Sequence, residues 1–162
     1  MYPLIVLVHV VAIVIFAIAH AISAAAMFQV RAEPDRAKLE AILNRSGQAL
    51  MIAGIAVLVA LVAGIVLGFM GNWWGQLWIW VSLVLIIVVG GAMTPLAGSP
   101  MTNVRTALGM QVGKPKPGDP PPVALSDSEI AAARAALKPE LVAILGVGAY
   151  AIITWLMLTK PF

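Results

Sequence analysis

The sequence predicts an all-α integral membrane protein: a four-helix bundle with a long cytoplasmic loop between the third and fourth helices. Three observations carry that expectation. Met1 to Val30 contains no Asp, Glu, Lys or Arg. Ser46 to Val104 is a second uncharged stretch, 59 residues long (104 − 46 + 1). Hydrophobic residues make up 62% of the chain and charged residues 10%, where an ordinary soluble domain has about 45–50% and about 25%. A soluble fold of 162 residues cannot hide so much apolar surface, so residues 1–162 read as a single membrane domain.

The first span covers residues 3–30. About 20 apolar residues cross the hydrocarbon core, so this segment is long enough to tilt or to project beyond it. Pro3 is tolerated in a first turn. Ala17, Ala19, Ala21, Ser23, Ala24, Ala25 and Ala26 let a neighbouring backbone come close. The segment lacks a basic leader region, and its apolar run exceeds the about 7–15 residues of a signal peptide. A retained span is therefore expected, although Ala24-Ala25-Ala26 offers small residues of the kind found at cleavage sites.

A polar loop over 31–46 follows, with Arg31, Glu33, Asp35, Arg36, Lys38, Glu40 and Arg45. Leu39, Ile42 and Leu43 recur at i, i+3 and i+4, and Pro34-Asp35 is a helix start. Asp35 to Arg45 reads as an amphipathic turn or two leading into the second span; a solvated extension of that helix fits equally well.

The second span covers 47–70, Gly71-Asn72 supplies the turn, and the third covers 75–96. Ala56, Ala60, Gly64 and Gly68 lie at four-residue spacing, the signature of a close helix–helix contact. That contact is either internal or the seam of a homodimer. Gly90-Gly91, Thr94-Pro95 and Gly98-Ser99-Pro100 weaken the third helix. They read as an irregular helix end near the membrane surface, with the broken helices of transporter sites as the alternative.

The second polar loop covers 98–137. A short helix is expected over 103–110. Gly113 to Pro122, with five prolines, reads as an extended linker, with partner binding as the alternative. Ser126-x-x-Glu129 is a capping box opening an alanine-rich helix through Leu137. Pro139 begins the fourth span, 139–159.

Charge sets the expected orientation. The two loops and the base of the fourth span hold Arg31, Arg36, Lys38, Arg45, Arg105, Lys114, Lys116, Arg134 and Lys138, nine of the ten basic residues. Basic residues stay cytoplasmic, so both termini are expected outside. Trp73, Trp74, Trp78, Trp80, Tyr2 and Trp155 gather at the other end, as interfacial aromatics do. The same topology explains the +3 net charge without nucleic acid, for which no aromatic–basic interleaving speaks.

His9 and His20 are the only histidines and the only ionisable side chains expected within the bilayer. Eleven residues of helix separate them by about 1100°, or about 20° beyond three turns, and by about 16.5 Å of rise. They share a stripe with Ile13 and Phe16. Ionisable groups inside a membrane suggest function by default, and three readings compete. One is ligation of haem b or another metal; with no histidine on another helix, the second ligand comes from another subunit, a symmetric dimer or a non-His ligand such as one of the eight Met. The second is a proton relay, or contact with a pigment or quinone head group, which needs only one imidazole. The third is a neutral ring bonded to a neighbour such as Ser82, Tyr150 or Thr154. Cysteine is absent, which excludes thiolate chemistry. No carboxylate pair, catalytic triad or phosphate loop points to an enzyme.

Leu7-Val8-His9-Val10-Val11, Gly54 through Gly64 and Trp78 through Leu83 resemble a family of small bacterial integral membrane proteins of unknown function, distantly similar to the copper-resistance D type. The resemblance covers the first two thirds of the chain and implies a four-helix bundle in the bacterial cytoplasmic (inner) membrane. The functional expectation is a non-catalytic subunit packed with other subunits in a larger respiratory or photosynthetic membrane complex. The alternative is a haem-b or metal-binding electron carrier using His9 and His20.

Overall fold

The computed structural model describes residues 1–115, 118 and 120–162. Lys116, Pro117 and Asp119, inside the expected 113–122 linker, lie outside the described residues. Among the described residues the chain is all-α, with four helical stretches long and apolar enough to cross a membrane. Its helices are α1 (Tyr2–Ala32), α2 (Arg36–Met70), α3 (Leu77–Met93), α4 (Ser99–Ala107), α5 (Asp127–Ala135) and α6 (Pro139–Thr159).

α1 and α2 form an antiparallel pair packed along most of their length. Alanines make that closeness possible. Ala12, Ala19 and Ala26 of α1 are buried, as are Ala49, Ala53, Ala56, Ala60 and Ala63 of α2. The first set repeats every seven residues and the second alternates steps of four and three, the period of a left-handed seam. Ser23 and Ser46 share a 3.2 Å hydrogen bond across it, which gives buried Ser46 a partner where hydrocarbon offers none. α1 also packs against α6, and α6 against α3.

Two expected boundaries move. The polar loop 31–46 shrinks to Glu33–Asp35, because α2 already begins at Arg36. The Asp35 carboxylate accepts from the Lys38 N–H at 2.9 Å, capping the helix. Leu39 and Leu43 then point one apolar face inward, and both are completely buried. The solvated extension is thus the form adopted. The second change concerns 98–137, expected as a polar loop with short helices over 103–110 and from Ser126 through Leu137. The chain stays helical through Pro95 and Pro100 to Ala107. Thr94–Gly98 forms a widened π turn, with the Ser99 N–H bonded to the Thr94 carbonyl. That turn accommodates the N–H that proline lacks, and burial of Val104 and Ala107 holds the continuation in place.

The polar end has its own core. Met27, Val30, Leu39, Leu43, Val104, Leu108, Ile130, Leu137 and Val142 pack together, drawn from α1, α2, α4, α5, α6 and their connections. Ion pairs and caps surround it. Arg31 donates two hydrogen bonds to Glu140, one at 2.8 Å. Arg36 meets Asp127 at 2.7 Å. Arg134 donates to the carbonyls of Val30 and Arg31 at 2.9 and 3.1 Å, satisfying the open C-terminal end of α1. Arg105 donates to the Leu43 carbonyl, tying α4 to α2.

α5 starts with the expected capping box: the Ser126 hydroxyl accepts from the Glu129 N–H, and the Glu129 carboxylate accepts from the Ser126 N–H. It ends at Ala135, two residues short of Leu137. Ser126→Ala should lower stability by about 1 kcal/mol, read as an earlier denaturant midpoint of the helical signal with the α1–α2 pair intact.

Candidate functional site

α1 sets both histidines, and its two neighbours decide what each ring meets. His9 faces α2. Its Nδ1 lies 2.7 Å from the Ala60 carbonyl oxygen. A carbonyl only accepts, so Nδ1 carries the proton and donates. The ring rests on Gly64, where a Cβ would stand 3.0 Å from Cε1. Glycine at 64 is therefore what lets the imidazole reach a helix carbonyl.

His20 faces α6 instead. It stacks on Phe16, with ring centroids 5.5 Å apart and planes 16° from parallel. Its Nε2 sits over Gly146, where a Cβ would come within 2.7 Å. The two rings lie on one stripe of α1, but α2 and α6 flank that stripe, so opposite ends of it meet different helices. Ser82, expected as a histidine partner, donates to the Trp78 carbonyl of its own helix at 2.9 Å. Among the described residues neither Tyr150 nor Thr154 bonds a histidine either.

Ala56, Ala60, Gly64 and Gly68 divide between two tasks. Ala56 and Ala60 are buried in the α1–α2 seam. Gly64 carries His9, and Gly68 carries the Trp74 indole, whose Nε1 would lie 3.2 Å from a Cβ there. Trp74 belongs to an aromatic cluster at the end of the bundle opposite the ion pairs. Trp73 packs against Trp78 and Tyr2, and Trp74 against Phe69 and Trp80. The Lys160 ammonium lies 3.9 Å from the centroid of Trp73, a cation–π contact. Among the described residues, the buried indole N–H groups of Trp74 and Trp78 have no hydrogen-bond partner.

An open apolar groove of about 370 Å³ also runs between α1 and α2, and His9 is not among its lining residues. Ile5 and Val8 of α1 and Leu58, Val59, Val62, Ala63 and Val66 of α2 line it. No sequence pattern announces this groove, since it lies between two helices whose rotation about each other only the fold sets. Gly146 was also missed; its signal was the Gly-x-Gly at 146–148 opposite the histidine stripe. Among the described residues no three His, Cys, Asp or Glu side chains gather as a metal site. Comparison with protein families, with curated proteins and with solved structures finds no match.

Proposed function

We propose that this multi-pass protein is a non-catalytic subunit of a larger respiratory or photosynthetic complex. It would reside in the bacterial cytoplasmic membrane, with its termini outside and its arginine-rich end in the cytoplasm. The observation that carries the reading is how the histidines are used. Each ring is seated on a glycine of a neighbouring helix, His9 on Gly64 and His20 on Gly146, so both serve helix packing. Nine of the ten basic residues support the orientation. The resemblance to small bacterial four-helix membrane proteins of the copper-resistance D type belongs to the same proposal.

Purification in mild detergent tests it. The 17.0 kDa chain should elute with other membrane subunits and show their masses in native mass spectrometry. A colourless monomer with no companion overturns the reading. One observation favours a haem-b or metal-binding electron carrier instead: the His9 Nδ1–H bond to Ala60 is the arrangement in which a metal-ligating imidazole keeps its other nitrogen free. A Soret band abolished by His9→Ala would select that second reading.

A further inference from the structure

We infer that the outer face of α2 binds the phosphate of an anionic phospholipid through Arg45 and Lys38, in the leaflet at the arginine-rich end. The inference rests on the membrane spans and not on the subunit role. It starts from how the charges at that end are paired. Arg31 pairs with Glu140 and Arg36 with Asp127. The carboxylates of Glu33, Asp35 and Glu129 accept backbone N–H groups of their own turns. Lys38 and Arg45 are exposed, and among the described residues no carboxylate pairs with either. At 100° per residue, Glu40 lies about 140° or more around α2 from both, so it does not neutralise their face.

Depth names the occupant. Ser23 meets Ser46 and His9 meets Ala60 across the α1–α2 seam, so Arg45 stands level with Ala24. That is seven residues, or about 10.5 Å, deeper than Arg31, the first charged side chain of α1. An exposed guanidinium at that level has lipid beside it, which favours a lipid over an acidic protein. Side chains lean toward the N-terminus of their helix, and the N-terminus of α2 is at the charged end, so Arg45 reaches outward to the headgroups. Polarity then falls along the face in the order of a phospholipid. Lys38, Ala41, Arg45, Gln48, Ile52 and Val59 lie within about 80° of one another around α2, and all are exposed. The two cations meet the phosphate, with only the small Ala41 between them. The Gln48 amide donates to the glycerol ester, and the acyl chains follow Ile52 and Val59.

Native mass spectrometry of the full chain in mild detergent tests the site, with dioleoyl phosphatidylglycerol as the anionic probe and dioleoyl phosphatidylcholine as the zwitterionic one. Phosphatidylglycerol should bind about fivefold or more tighter than phosphatidylcholine. Arg45→Gln should weaken it about fivefold, and Lys38→Gln by a similar factor, since each cation near the surface attracts anionic lipid to about that extent. Both side chains are exposed, so the variants should keep the wild-type helical signal and unfolding midpoint. Lys138→Gln, at the same end but on another helix, and Lys160→Gln, at the opposite end, should leave the binding unchanged. Inorganic phosphate at matched ionic strength should not displace the lipid, because it lacks the acyl chains. Equal binding of the two lipids overturns the inference. So does unchanged binding by Arg45→Gln, a loss in Lys138→Gln as large as in Arg45→Gln, or displacement by inorganic phosphate.

Discussion

Leu43→Ala should destabilise the protein by about 2–5 kcal/mol, measured as a shift in the denaturant midpoint of the helical signal in detergent. Leu43 is 0% exposed and touches a core assembled from five helices. Truncation leaves a cavity there with no second layer to collapse into it. The position also lies at the charged end of the bundle, between Glu40 and Arg45, where the alternative to burial is water and the hydrophobic effect applies in full. Leu58, on the same helix, is 61% exposed and faces the apolar medium in either state. Leu58→Ala should stay within about 0.5 kcal/mol. Equal effects of the two substitutions would mean that the polar-end cluster is not the core of the fold.

That contrast explains which features of the fold were legible in the sequence. Spans show as uncharged runs because lipid excludes charge at every residue, so Met1–Val30 and Leu141–Thr159 stand out without any partner. Caps are equally local: Pro34-Asp35 and Ser126-x-x-Glu129 act on backbone N–H groups within one turn of themselves. The passage through Pro95 and Pro100 was not legible, because local breaker chemistry there is outvoted by burial of Val104 and Ala107 among residues far away in sequence. The candidate site divides in the same way. The shared stripe of His9 and His20 follows from helical geometry alone. Which neighbour each ring meets depends on how α2 and α6 lie against α1, and nothing in a single helix records that.

Gly146 provides the sharpest test of that tertiary arrangement, because propensity and packing there predict opposite signs. A glycine within a helix costs about 0.8–1 kcal/mol relative to alanine, so an isolated α6 would gain from any larger residue. At Gly146 a Cβ would stand 2.7 Å from His20 Nε2, and His20 is backed by its stack on Phe16. The ring has little room to retreat, so α6 must move off α1. Gly146→Leu should therefore destabilise by about 1–3 kcal/mol net of its helix-propensity gain. Gly148, two residues on, has nothing within 4 Å of its would-be Cβ. There the propensity gain stands alone, and Gly148→Ala should stabilise by about 0.5–1 kcal/mol. The double variant Gly146→Leu/His20→Ala removes the obstructing ring and should recover about 1 kcal/mol or more of the loss, a coupling that separated sites do not show. If Gly146→Leu and Gly148→Ala shift the unfolding midpoint in the same direction, or if His20→Ala brings no recovery, then α6 does not pack on α1 through this pair, and the seating of His20 on a glycine falls with it.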